Sequence, residues 1–117
     1  MVRRLEDRSV TVHNNMRGGN LSVTVDDYMT MEEFNGRGRL FGSNTIPPKG
    51  SIGYHVHEGE TEAYYILQGK AKYNDNGTDT TVKAGDVTYC ASGCGHGIEN
   101  IGDEDLVFIA VILKQEW

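Results

Sequence analysis

Gly50-Ser-Ile-Gly-Tyr-His55-Val-His57-Glu-Gly-Glu-Thr-Glu62-Ala-Tyr-Tyr-Ile-Leu-Gln-Gly69 is the stretch whose reading decides the fold. Residues two apart on a β-strand point to the same face, roughly 6.6 Å apart along it, so His55 and His57 can converge on one point. Gly59 lets the chain turn, and the run from Glu62 to Leu67 can return as a neighbouring strand whose first inward residue is a carboxylate. Imidazole and carboxylate together suit divalent first-row metals. The spacing alone leaves a second reading open, a surface His-x-His pair on an exposed strand with Glu62 a solvated acid.

A second stretch, Gly85-Asp-Val-Thr-Tyr-Cys-Ala91-Ser-Gly93-Cys-Gly-His96-Gly-Ile-Glu-Asn100, carries a third histidine beside an asparagine, leaving only His13 outside the two. Between and around them lie short runs rich in β-branched and aromatic residues. These predict strands at 21–25, 40–46, 52–57, 62–67, 70–74, 79–82, 87–90, 96–100 and 106–113. Nine short strands in 117 residues point to an all-β sandwich or barrel, in one domain with a single core. Asp75-Asn76-Gly77 predicts a tight hairpin, because Asn and Gly tolerate the positive φ angles of primed turns. Helix evidence is limited to one turn over Met29–Phe34 with Thr30 as its cap, stopped by Asn35 and Gly36. Residues 1–20 hold three early arginines and the polar, Gly-rich stretch 14–20, and are expected to form an arm or loop.

The chain's net charge of −6 offers no basic footprint for nucleic acid and argues against anionic membrane surfaces. The longest apolar runs fall far short of the ~20 residues a bilayer span needs, and the first residues lack a signal-peptide apolar segment, so the expectation is a cytoplasmic protein. Cys90 and Cys94 are the only cysteines, spaced unlike a zinc knuckle or a thioredoxin motif, and read as free thiols.

The two stretches together resemble the paired motifs of the cupin family. The first motif runs Gly, five residues, His-x-His, three or four residues, Glu, six residues, Gly; from His55 to Gly69 this chain matches it throughout. The second runs Gly, five residues, Pro-x-Gly, two residues, His, three residues, Asn, and the chain matches it from Gly85 to Asn100 with Ala91 in the proline place. Gly50 precedes His55 by one residue fewer than the pattern has. The resemblance covers positions 38–113. It implies a double-stranded β-helix, the cupin jelly-roll barrel, in a small bacterial single-domain protein spanning 1–117. It also implies His55, His57, Glu62 and His96 as ligands to one divalent ion: manganese, iron, cobalt, nickel, copper or zinc. Small cupins commonly dimerise, so a homodimer is expected, with residues 1–25 adding a strand to a neighbouring sheet.

Three imidazoles and one carboxylate leave a divalent ion with a net positive charge and, if octahedral, two open positions for substrate. Two functions fit. One is a metal-dependent enzyme acting on an oxygen-bearing small molecule by isomerase, lyase, decarboxylase or dioxygenase chemistry; the other is a non-enzymatic module that binds or senses a small ligand.

Counting by twos from the ligands predicts further wall residues. Tyr64 falls on the inward face, as a phenol near the metal or as a packed aromatic. Cys94 would share the face of His96. Glu58 and Glu60 lie at the rim, as general bases or as ordinary solvated acids. Arg37 and Arg39 could attract an anionic substrate, Asn100 is expected to fix a turn, and His13 to be exposed or structural.

Overall fold

The computed structural model describes residues 1–115, so the last two residues of the expected 1–117 domain lie outside the described part. It is all β-strand apart from three 3-10 turns. The strands are β1 (Ser9–Asn14), β2 (Ser22–Asp27), β3 (Gly38–Ile46), β4 (Ser51–Val56), β5 (Glu60–Gln68), β6 (Lys70–Asp75), β7 (Thr78–Lys83), β8 (Val87–Cys90), β9 (Gly95–Asn100) and β10 (Leu106–Lys114).

They form two antiparallel sheets, one in the order β1-β2-β3-β10-β5-β8 and the other β4-β9-β6-β7. This is the double-stranded β-helix that the motifs imply. Period-2 alternation drives it: along β10, Leu106, Phe108, Ala110 and Ile112 are buried while the residues between them are not. Their inward row meets Ile46 and Asn44 of β3 and Ile66, Tyr64 and Glu62 of β5 in register. The opposite sheet contributes Ile52, Ala71, Tyr73, Val82 and Ile98 to the same core. Burying a row of this kind at about 25 cal/mol per Å² supplies the main drive to close the barrel.

The β6–β7 hairpin turns at Asn76 and Gly77, both at positive φ, as the sequence expects. The expected helical turn is shorter than read, a 3-10 turn at Glu32–Phe34. Thr30 does cap it: its hydroxyl accepts from the Glu33 N–H, and the Glu33 carboxylate accepts from the Thr30 N–H. Asn35 at φ 52° ends it.

The N-terminal segment departs most from expectation. Where an arm or loop was expected over residues 1–20, Ser9–Asn14 form an edge strand paired along its whole length with β2. That pairing is with β2 of the chain's own sheet, whose edge β1 forms. The sequence signal was weak because all six residues are exposed; backbone pairing rather than burial holds them.

Candidate metal centre

The strand ends bring the four expected ligands together. His55 near the end of β4 lies opposite His96 of β9. His57 follows just past β4, and Glu62 comes from β5 of the other sheet. One donor atom from each lies within 4.8 Å of all the others. Glu62 Oε1 is 3.0 Å from His57 Nε2, 2.9 Å from His96 Nε2 and 4.0 Å from His55 Nε2. The His57 and His96 Nε2 atoms are 3.2 Å apart. His57, Glu62 and His96 are buried; His55 is the more open of the four.

Each imidazole is also held from behind. His55 Nδ1 donates to the Gly53 carbonyl at 2.7 Å, and His57 Nδ1 to Glu60 Oε1 at 3.0 Å. His96 Nδ1 shares a 2.8 Å hydrogen bond with the Tyr73 hydroxyl. With the hydrogens on the Nδ1 side, three Nε2 lone pairs and a carboxylate oxygen face one point. Such a cluster repels itself unless a cation sits among its members, and outer partners of this kind fix the tautomer that ligation needs. The donor set therefore fits a divalent ion.

The electrostatics agree. Burial alone would raise the Glu62 carboxyl; without an ion the surrounding imidazoles can instead turn an Nε2–H towards it, which outweighs burial and holds the group below the usual carboxylate range. The Glu62 hydrogen bond draws His57 above its ordinary value against the pull of burial, while burial holds His96 below its own. The two carboxylates beside His57 thus favour its protonated form, and a metal ion and a proton are rivals for the same place.

A cavity of about 390 Å³ opens onto this point, within the usual range for small-molecule sites. Its floor is His55, His57 and Glu62, and Ile52, Val25 and Ile112 supply apolar wall. Tyr64 belongs to the wall and is also a packed aromatic, stacked on His96 at 5.0 Å and tilted against Phe108 at 4.3 Å. Burial, then the nearby Glu62 charge, keep its phenol neutral.

The other expected wall residues sort differently. Cys94 is not among the residues lining the cavity: β9 begins only at Gly95, so counting by twos does not extend to it. Its carbonyl instead accepts from the His57 N–H. The inward cysteine is Cys90, directly opposite Glu62, with burial pushing its thiol up to about 11. Glu58 is exposed and outside the lining. Glu60 is neither solvated nor a free base. Arg39 donates to both its oxygens, at 2.8 and 2.7 Å, and with His57 holds the carboxyl down at about 2 against burial. Arg39 thus lines the cavity with its charge already matched, and Arg37 is exposed outside it. Asn100 fixes the loop before β10, donating to the Ile46 and Glu104 carbonyls and accepting from the Gly102 N–H. His13 is exposed at the cavity mouth, hydrogen-bonded to Thr11.

Sequence reasoning missed the outer partners: Tyr73 and the Arg39–Glu60 pairing depend on strand neighbours that no local spacing encodes, and the Gly53 carbonyl is a backbone group, two residues before His55, that residue type does not reveal.

A two-sheet β-helix whose strand ends converge three histidines and a glutamate defines a cupin, and the cupin domain model matches residues 43–112. The chain belongs to that family. It is 47% identical over 100 residues to an oxalate-binding protein of Thermotoga maritima, covering 86% of this chain and 83% of that one. It is 36% identical over 72 residues to an oxalate decarboxylase of Bacillus subtilis, covering 57% of this chain and 19% of that longer one. Among solved structures, that of a predicted oxalate decarboxylase from Thermotoga maritima superposes with a TM-score of 0.92 at 44% identity, covering 97% of this chain and 99% of that one.

Proposed function

We propose that this cupin holds one divalent first-row ion through His55, His57, Glu62 and His96, and on that ion binds a short dicarboxylate of the oxalate class. The observation that carries the reading is the convergence of three back-anchored imidazoles and one carboxylate at the floor of an open cavity. The ion supplies a Lewis acid for carboxylate oxygens when bound. The chain's residues orient it, exclude water on the apolar side and leave the cavity side free. The names of its relatives support the choice of oxalate. The test is elemental analysis of protein purified without a chelating tag, followed by calorimetric titration of oxalate into metal-loaded and metal-stripped protein. Uptake of about one ion per chain and oxalate binding only with metal are expected; a metal-loaded protein indifferent to oxalate refutes the ligand.

Turnover is the second reading. One relative is named an oxalate decarboxylase, and decarboxylation consumes a proton: oxalate plus a proton yields formate and carbon dioxide. Tyr64 in the wall is protonated, but burial and the Glu62 charge make it hold that proton tightly, so the donor would come from elsewhere in the cavity. Formate appearing in the titration mixture separates an enzyme from a binding module.

We further propose that two copies pair through the outer face of the six-stranded sheet. Phe41, Tyr65, Leu67, Val87 and Tyr89 are exposed there, in a chain whose like net charge otherwise keeps copies apart. Sedimentation should give a dimer at micromolar concentration, and Tyr89→Glu a monomer. The unpaired thiols Cys90 and Cys94 support a reducing, cytoplasmic compartment.

A further inference from the structure

We propose that Arg17 is the specificity-determining residue of the cavity, meeting the negative charge of its occupant from the N-terminal strap and favouring dianions over monoanions. This rests on the reading of the cavity as a carboxylate site on a bound ion. The strap lies outside the residues matched to the family, yet Thr11, His13, Met16 and Arg17 all line the cavity.

The strap is pinned in place. A Cβ on Gly53 would run into the Arg17 carbonyl oxygen, and one on Gly19 into the Ser51 carbonyl oxygen. Only glycine at both places lets the strap rest directly on β4, the strand that carries His55. Ser51 and Asn20 lock the approach with reciprocal hydrogen bonds of 2.9 Å. Within the strap Arg17 sits in the left-handed region at φ 54°, ψ 31°, a conformation unfavourable for any residue with a Cβ. Glycine would suit this backbone better, so the arginine is not there for its conformation.

Charge accounts for what it does. The charged residues lining the cavity are Asp27, Glu62, Arg39 and Arg17, besides the histidines. Arg39 is committed to Glu60. A divalent ion is offset by the two carboxylates, which leaves the cavity near neutral towards an anion. Arg17 has no salt bridge or side-chain hydrogen bond among the described residues and is exposed, so its guanidinium is the uncommitted positive charge of this wall. A planar guanidinium suits paired carboxylate oxygens.

The experiment uses the full chain loaded with manganese, as wild type, Arg17→Gln, Arg17→Lys and Arg17→Gly. Oxalate and oxamate, close in shape and one charge apart, are titrated calorimetrically into each. Arg17→Gln is expected to weaken oxalate about 10- to 50-fold and oxamate less, with manganese affinity unchanged. Arg17→Lys should keep most of the preference. Arg17→Gly suits the left-handed backbone, so it should melt no lower than wild type while losing oxalate as Gln does; a merely structural role moves stability and binding together. Oxalate binding by Arg17→Gln within twofold of wild type overturns the inference and leaves the metal-carboxylate reading standing. A wild type that holds manganese and ignores both acids overturns both.

Discussion

Replacing Glu60 with alanine should weaken metal binding about 10- to 100-fold while leaving every ligand in place. Glu60 accepts three hydrogen bonds, two from Arg39 and one from His57 Nδ1. Their loss is unequal. Arg39 retains 36% side-chain exposure and can be rehydrated at little cost, whereas the His57 side chain is 2% exposed and loses the acceptor that fixes its tautomer. A hydrogen bond to a charged group contributes about 1.5–3 kcal/mol, and each 1.4 kcal/mol is tenfold in affinity, which gives the stated range. Outer-partner mutations at other metal sites cost a similar factor. The assay is competition for manganese or zinc against a chromogenic chelator at neutral pH, with nitrogen NMR of the His57 ring to report its tautomer. Glu60→Gln keeps an acceptor and should fall between wild type and alanine. A Glu60→Ala protein that melts like wild type and binds metal within twofold of it would refute the reasoning, because His57 would then need no support from behind.

Tyr73→Phe removes the hydroxyl beside His96 Nδ1 inside the barrel, and should cost roughly tenfold in metal affinity by the same chelator assay, with the apolar packing kept. Asn100→Ala strands the buried Ile46 carbonyl and the part-buried Glu104 carbonyl and Gly102 N–H, and should lower stability by about 2–4 kcal/mol in urea unfolding, with metal affinity per folded molecule unchanged. On the acid side, the Glu60 carboxyl titrates at about 2 in the fold against 4.5 ordinarily. Its contribution is therefore whole above about 4.5 and lost as pH falls towards 2, on the order of 1–2 kcal/mol after solvent screening of Arg39, measured as urea midpoint against pH in metal-free protein. His57 has the opposite sign: its raised value means that a proton competes with the ion for the ring, so metal affinity should fall as pH is lowered through the histidine range, read as the chelator-competition constant against pH; an affinity unchanged from pH 8 to pH 5 would contradict it.

The barrel was legible because its inward rows are written as alternation: the runs that became β5, β9 and β10 carry apolar or ligand residues at every second place. β1 was not, although Val10 and Val12 alternate with Thr11 and His13, because an edge strand exposed on both faces needs no apolar burial to form. The cluster of candidate ligands was legible through the spacing from His55 to Glu62 and the second motif around His96. Cys94 was misjudged since periodicity holds only inside a strand, and β9 starts one residue later. Glu60 was read as a rim acid because nothing in the local sequence shows that Arg39, 21 residues earlier, folds against it. Arg17 carried no signal at all in sequence; its meaning comes from two glycines that let one piece of backbone rest on another.

The four donors differ in depth, and depth sets the timing of exchange. His96 is sealed under Tyr64 and Tyr73, and Glu62 and His57 are buried, while the His55 side chain keeps 10% of its surface open. An ion held here would have His55 as its most open neighbour, so that histidine would be the first donor that water or a chelator reaches through the cavity. Its removal would then begin at the least buried histidine, and a chelator too bulky for the cavity would be kept from it.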